Sequence, residues 1–593
     1  MAKWLVRNKK GDTKLMSKTL NISETLSQIL INRDIRTKGS ARKFLNPHME
    51  YFHNSYDMKD MEKSINVLKY SLAKNEKIAI YGDYDVDGIM STTILYKGLK
   101  SIHDNIIYYI PDRKEEGYGL NIEAIKKLKE EKVDLLITCD NGIASLEEIK
   151  YAKALGIKSI VIDHHESVYI KDSQNENVEI LPEAEAIINP KQKNCNYKFK
   201  KMCAAGLCYK FICAYYEHEK IQLMTEDELL IFAAIATFCD IVDLQDENRI
   251  ITTFGLKLMN FQVQNIGLKA LLTEKNYEDK NIDEYAIGFV IGPCINATGR
   301  LRHAHMAVEL FLTQDKENAA MLAKEISHLN DERKSMTKKS IDEIMENIGD
   351  HSGEHQNVVV VYNKNIHESI AGIVAGRIKD KLYRPAIVIT QGEHMPKGSA
   401  RSIENYNIFE ELSKCRHLFD KFGGHEMAAG LSLLEDNIEK LRLELNKNFD
   451  LKPEQLQKTI VLEKAMRLED ITYDLAEELN ILKPFGKDNE EPLFGTKMVK
   501  VENLRIIEEK DTIIFNFAVG NTYRKIKGIC FGEVDTLKKI ISDNFSPDDK
   551  EKILGGNLNS IILILDIVYS IDINLYNGDV SVQLKIKDFR ISN

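Results

Sequence analysis

A single tryptophan, eleven prolines and nine cysteines are all that this 593-residue sequence holds of those types. So little proline, with only 32 glycines, excludes collagen-like and low-complexity chains. The cysteines, at 139, 195, 203, 208, 213, 239, 294, 415 and 530, are odd in number and sit in mostly apolar surroundings. They read as buried free thiols of a reducing compartment rather than as a disulfide framework. Cys203, Cys208 and Cys213 have helix-like spacing and no histidine close by, which argues against zinc. Long apolar runs are missing too. The N-terminus lacks the apolar core of a signal peptide. The most apolar late run, Ile561 to Ile571, is interrupted by Asp566 and falls well short of the ~20 residues of a spanning helix. A soluble, cytoplasmic protein with no membrane association is expected.

Excess positive charge is also lacking: 81 Lys and Arg stand against 91 Asp and Glu, a net charge of −10. That balance argues against coating nucleic acid through bulk charge and leaves room for a local basic channel. Apolar residues at 43% and charged residues at 29% are ordinary for a globular chain. Its length suits about three to four domains.

What is present is a strongly alternating pattern. Residues 1–60 are loosely patterned and read as an N-terminal extension. Apolar strands are then predicted at Ile78–Tyr81, Ile106–Ile110, Leu135–Thr138 and Ser159–Ile162, separated by helices over Ser91–Ile102, Asn121–Glu131 and Ser145–Leu155. Continuous apolar strands alternating with amphipathic helices predict a doubly wound parallel sheet covered on both faces. One long polar helix is expected over 316–348, its thin apolar stripe suggesting a connector. A second α/β segment starts at Val358 and runs to about 450. After 458, short alternating strands at 513–517, 526–530 and 580–586 predict a small β-barrel or sandwich.

Ligands of an open parallel sheet bind outside the carboxyl ends of its strands. Here the four strands end in Gly82-Asp83-Tyr84-Asp85-Val86-Asp87-Gly88, Pro111-Asp112-Arg113, Cys139-Asp140-Asn141-Gly142 and Asp163-His164-His165-Glu166. Another apolar run closes at Asp240 and Asp243. Any one of these acids is an ordinary turn or cap residue; the set facing one crevice requires cations to offset its repulsion. Oxygen-rich ligation with one or two imidazoles suits Mn²⁺ or Mg²⁺ better than zinc. Two such ions activate water for in-line phosphodiester displacement. A basic stretch, Lys191, Lys193, Lys198, Lys200 and Lys201 with Tyr197 and Phe199 between them, reads as a solvated loop or as a track for a DNA backbone.

Asp85-Val86-Asp87-Gly88, Cys139-Asp140-Asn141-Gly142 and Asp163-His164-His165 resemble the successive motifs of the DHH phosphoesterase superfamily, and the chain is similar to its single-strand-specific exonuclease branch along nearly its whole length. Gly292-Pro293-Cys294-Ile295-Asn296-Ala297-Thr298-Gly299-Arg300-Leu301 looks like that branch's own motif. Gly423-Gly424-His425-Glu426-Met427-Ala428-Ala429-Gly430 resembles the glycine-rich element of a DHHA1 domain, and Leu482-Lys483-Pro484-Phe485-Gly486 the entry to an OB-fold.

The resemblance implies an α/β fold: a parallel-sheet DHH domain (61–315) joined by a long helix (316–349) to a smaller α/β DHHA1 domain (350–457), plus a C-terminal OB-like β-barrel (458–593). It implies Asp83, Asp85, Asp87, Asp140, His164 and Asp240 as ligands of two divalent cations, Mn²⁺ or Mg²⁺, with Asp140 bridging. It implies His165 on the scissile phosphate, Asp163 orienting a ligand, and Arg300 offsetting transition-state charge. Arg113 and Tyr118 would hold phosphate and stack on a nucleotide, with Asn296 and Arg302 as further substrate contacts. Ser399 and Arg401 would hold a terminal 5′-phosphate, with Gly424 and His425 nearby; read by itself, Lys397–Ser402 is a turn. Cys294 stands where an arginine is common, a loss that Arg302 would make good.

The implied activity is 5′-to-3′ degradation of single-stranded DNA to nucleoside 5′-monophosphates, by a monomer, in repair and recombination. Candidate protein partners are a single-strand-binding protein and a RecQ-type helicase. The alternatives are a relative acting on short oligonucleotides or cyclic dinucleotides, and a non-catalytic replication scaffold.

Overall fold

The computed structural model describes residues 2–171, 176–350, 356–520, 522–558, 561–576 and 579–592. The chain divides into two compact units, Pro47–Leu456 and a second formed by Met1–Asn46 with Gln457–Asn593.

The larger unit is built on a five-stranded parallel sheet: β1 (Ile78–Tyr81), β2 (Ile106–Tyr109), β3 (Leu135–Cys139), β4 (Lys158–Ile162) and β5 (Ala186–Ile188), in the order β2-β1-β3-β4-β5. Successive strand residues point to opposite faces. Ile78, Ile80, Leu135, Ile137, Ile160 and Ile162 accordingly join one core, while Ala79, Tyr81, Leu136 and Val161 join another. Burial on both sides is why these strands are apolar throughout. On the first face lie α1 (Val86–Lys100), α2 (Ala204–Glu219) and α3 (Glu226–Cys239). The three-residue β5 is too short for its own sequence signal. Asp240 follows the helix α3, not a strand.

Past α3, a π-turn over Ala286–Ile291 leads directly into α4 (Gly292–Leu301), followed by the 35-residue α5 (Lys316–Asp350). The stripe on α5 is buried: Leu322 and Ile326 sit in the first core, and Ile344 in that of the next domain. That domain has β6 (Val359–Tyr362), β7 (Ala386–Thr390), β8 (Lys397–Arg401), β9 (Phe419–His425) and β10 (Ala428–Leu433), in the order β9-β10-β8-β7-β6, with α6 (Ala371–Leu382) against it. Only β6 and β7 run parallel.

In the second unit the strand Phe494–Ile507 pairs with both Thr512–Ala518 and Leu563–Tyr576, and the sheet closes on itself through Lys525–Phe531 and Asp579–Ile591. Residues 1–60 are not a loose extension. Lys3–Val6 pairs in parallel with Thr459–Leu462. Leu26, Ile29, Leu30, Ala41 and Phe44, from helices of eight or nine residues, enter the barrel's core. Elements this short leave little periodicity to read. No described helix is long and apolar enough to cross a membrane.

Candidate metal centre and cation-lined cleft

Three loops at the carboxyl ends of the adjacent strands β1, β3 and β4 supply most of the acids. Asp85 caps α1, its Oδ1 accepting from the Asp87 and Gly88 amides at 2.9 and 3.1 Å. Asp87 reaches across and accepts from the Ala204 and Ala205 amides (2.7 and 2.8 Å) at the start of α2. Asp140 leaves β3 in the left-handed region, at φ 62°. Ligand atoms within 4.8 Å of one another occur in three groups: Asp83, Asp85 and Asp140; Asp140, His164 and His165; and Asp87, His164 and Asp240. Asp140 and His164 each belong to two of them. The His164 Nε2 lies 3.2 Å from Asp140 and 3.7 Å from Asp87, and its Nδ1 3.7 Å from Asp240. The site lies where the chain order of the sheet reverses, between β1 and β3, as expected for this architecture.

The carboxyls are electrostatically frustrated. Burial and then Asp85 push Asp83 up to about 8 and Asp87 to about 7. Burial and then Asp87 push Asp240 to about 7, and burial with Asp87 holds Asp140 well above the usual carboxylate range. Asp83 Oδ1 is buried without a hydrogen-bond partner. An orphaned buried oxygen among mutually repelling acids and two imidazoles fits hard divalent cations with oxygen-rich ligation. Asp163 differs. Burial would raise its pKa, but the His165 hydrogen bond and charge and the Ile143 amide hold it below the ordinary value. Its Oδ1 lies 2.7 Å from His165 Nδ1, and its bond outweighs burial to keep His165 raised.

Beside this centre is a cleft of about 560 Å³ walled by both α/β domains of the unit. The Arg113 guanidinium lies over the Tyr84 ring, 5.2 Å from its centroid. Arg300 donates to the Ser369 carbonyl at 2.8 Å, and burial, then Arg113 and Arg333, lowers its pKa to about 10. Gly299 allows this placement: a Cβ there would stand 2.5 Å from the Tyr84 carbonyl oxygen. Opposite, Arg401 donates to Ser399 Oγ at 3.2 Å. The first turn of α6 closes on both, since a Cβ on Gly372 would fall 2.8 Å from the Arg401 guanidinium and 2.9 Å from Ser399 Oγ.

Family models match over three stretches: the DHH family N-terminal domain at residues 77–237, the DHHA1 domain at 355–450 and the RecJ OB domain at 462–588. The single-stranded-DNA-specific exonuclease RecJ of Bacillus subtilis is 34% identical over 597 residues, spanning 100% of this chain and 71% of the relative. Its Escherichia coli counterpart is 30% identical, spanning 89% of each. The chain belongs to the RecJ family. A Thermus thermophilus RecJ crystallised with Mn²⁺ shares the fold over the whole chain and 80% of that structure, with a TM-score of 0.80 at 22% identity. A crystal structure of exonuclease RecJ bound to manganese aligns over 66% of this chain and 96% of its own, at 27% identity and a TM-score of 0.57.

Within this RecJ family member, the other residues singled out in the sequence fall unevenly. Tyr118 is exposed, its hydroxyl donating to the Asp140 carbonyl (3.2 Å) and lying 3.3 Å from His165 Nε2. Arg302 lines the cleft, and Asn296 is half-buried one turn before Arg300. Gly424 and His425 are not among the cleft's walls. They sit two strands from Ser399, with His425, Ala428 and Arg401 aligned across β9, β10 and β8. Asp112 does not join the acid cluster: its carboxylate accepts from the Lys114 and Glu115 amides, the ordinary turn role. Cys294 is buried, taking a hydrogen bond from Asn330 on α5 at 3.3 Å. In the basic stretch, Tyr197 and Phe199 are core residues and Lys191, Lys200 and Lys201 are hydrogen-bonded or ion-paired, so it makes no aromatic track. The structure adds Tyr84, Ser369 and Gly372 to the site. Tyr84 is marked in the sequence only by its place between two acids; the other two have no motif to mark them.

Proposed function

We propose that this chain is a metal-dependent exonuclease that degrades single-stranded DNA from the 5′ end to nucleoside 5′-monophosphates, in repair and recombination. The observation that carries this reading is the acid cluster sharing Asp140 and His164, set beside a cleft walled by Arg113, Arg300, Ser399 and Arg401. Asp83, Asp85, Asp87, Asp140, His164 and Asp240 would hold two divalent cations, Mn²⁺ or Mg²⁺. Bound there, the ions supply a nucleophile from water and stabilise the oxygens of an in-line displacement.

The chain's own residues do the rest. Asp163 fixes His165 through Nδ1 and leaves Nε2 for a phosphate oxygen. Arg300, held by the Ser369 carbonyl, offsets the charge that builds on phosphorus. Arg113 takes a phosphate and the Tyr118 ring a base, since stacking accepts every base. Ser399 and Arg401, with His425 in the row of Arg401 and Gly424 in the row of Ala400, hold the 5′-phosphate, and Asn296 and Arg302 extend the contacts to the strand. In this reading residues 61–315 carry the metals, 350–457 grip the end and 458–593 bind the strand. The compartment is the cytoplasm, the active form a monomer, and the protein partners a single-strand-binding protein and a RecQ-type helicase.

The test is a digest of 5′- and 3′-labelled DNA, single- and double-stranded, with Mg²⁺ or Mn²⁺. Mononucleotides should leave the 5′ end of single strands only, and Asp140→Asn should be inert in the same assay. Release from the 3′ end first, or equal digestion of a blunt duplex, would overturn the reading.

A further inference from the structure

Residues 1–46 lie outside every matched family model, and their charge is opposite to that of the chain. They hold eleven Lys and Arg against three Asp and Glu, a local charge of +8 in a chain of net −10. The remainder of the same unit, residues 457–593, carries 19 against 23. The excess of cations over acids in this unit therefore lies in the N-terminal segment.

That segment is a folded surface rather than a tail, because Leu26, Ile29, Leu30, Ala41 and Phe44 anchor it in the barrel's core. Its short helices display their cations in pairs one turn apart, Lys14 with Lys18 on Thr13–Leu20, and Lys38 with Arg42 on Lys38–Leu45. Such neighbours on a helix face stand ~5–6 Å apart at Cβ. All four are exposed and have no ion-pair partner among the described residues. Of the segment's three acids, Asp34 pairs with Lys9 and Arg36, Asp12 caps its own helix at the groove, and Glu24 stands at the start of the next helix. Between these helices runs a groove of about 240 Å³, with Leu15, Met16, Leu20 and Ile31 in its walls and Arg36 and Lys38 at its edge.

We propose that this N-terminal helical face is a surface with which the barrel-containing unit holds the phosphodiester backbone of single-stranded DNA. The proposal rests on the reading of the chain as a single-strand nuclease. Folds that hold a single strand without regard to sequence combine a cationic groove along the backbone with surfaces for the bases. The paired lysines and Arg42 of this face supply such cations, and the groove between the helices, with Leu15, Met16, Leu20 and Ile31 in its walls, takes the face of a base. Binding of this kind is steeply salt-dependent, because each phosphate neutralised releases a condensed counterion.

The experiment uses the full chain carrying Asp140→Asn, so that the strand is not consumed, with and without Lys14→Gln, Lys18→Gln, Lys38→Gln and Arg42→Gln together. Fluorescence anisotropy of a labelled 30-residue oligothymidylate is followed across a salt titration. The slope of log K against log[salt] should become shallower by about 0.7 for each phosphate no longer neutralised, close to 3 for all four. With Asp140 intact, cleavage of a 5′-phosphorylated trinucleotide, which gives few phosphates to a second surface, should be unchanged. An unchanged slope and affinity would overturn the proposal and leave an acidic protein segment as the occupant of this face. A chain with all four cations that neither binds nor cleaves single strands would instead overturn the functional reading. Should the fourfold variant fail to fold, Lys14→Gln with Lys18→Gln, on one exposed helix, gives the same reading at about half the change.

Discussion

Arg401 illustrates how surroundings prepare a residue for the role proposed for it. Taken by itself, Lys397–Ser402 is a polar turn; folded, it is the strand β8, paired on both sides. Burial lowers the Arg401 pKa, yet guanidinium remains charged at any physiological pH. Its Nη1 already donates to Ser399 Oγ and the Ala400 carbonyl, so the fork is oriented before a ligand arrives. A charge-assisted bond to phosphate is worth roughly 1.5–3 kcal/mol. Arg401→Ala should therefore raise KM for 5′-phosphorylated strands about 10- to 100-fold, while kcat stays nearly unchanged and strands ending in a 5′-hydroxyl are processed almost as before. Equal losses on both ends in steady-state kinetics would refute the assignment. Asp112 makes the opposite point. It follows a strand just as Asp83 and Asp140 do, but its Oδ1 is engaged by two backbone amides of its own turn. Local spacing does not distinguish a ligand from a cap.

At the scale of elements, the deciding contact is that of α4 with the loop of acids after β1. The π-turn Ala286–Ile291 feeds directly into α4, and such turns often mark functional sites. Gly299 rests against Tyr84, whose ring in turn carries Arg113. The helix thus sets the position of Arg300 relative to the acids through one close approach. Gly299→Ala should push α4 away from Tyr84, lowering stability by about 1–3 kcal/mol, the usual cost of overpacking. Turnover should fall about ten-fold or more, because ~1 Å of displacement is costly for a group in the charge-offsetting role proposed for Arg300. Melting curves and kcat measured on the same preparation check both; unchanged turnover in a destabilised protein would separate the helix from the chemistry. The long helix α5 belongs to this scale too. Its sparse apolar stripe suggests a bare connector, and its burial at both ends makes it a shared strut of two domains.

For the whole molecule, the metal centre couples function to stability. Asp83 at about 8, and Asp87 and Asp240 at about 7, lie above the ~3.9 of an unfolded Asp. Without cations the folded chain binds more protons than the unfolded one across that interval, so this contribution to stability is present below about pH 4 and lost as the pH rises towards 8. Cations replace those protons. Stabilisation by Mn²⁺ should accordingly be larger at pH 8 than at pH 5.5, read as the difference in Tm between Mn²⁺ and EDTA; a gain that shrinks with rising pH would contradict the frustrated-acid account. Much of this was legible in the sequence. Alternating apolar strands and helices, and acids at successive strand ends, are local patterns of period and turn chemistry, and they determined the doubly wound sheet and the edge where the chemistry lies, as composition determined the net charge of −10. The resemblance already names Asp240 and passes over Asp112; the tertiary structure supplied the reason, bringing Asp240 in from the end of α3 and leaving Asp112 in its own turn. It alone decided that residues 1–46 fold onto the barrel more than 400 residues later. The physical reason is the same in both cases: side-chain periodicity records which way a residue faces its own element, whereas convergence depends on how distant elements pack, and no local spacing encodes that.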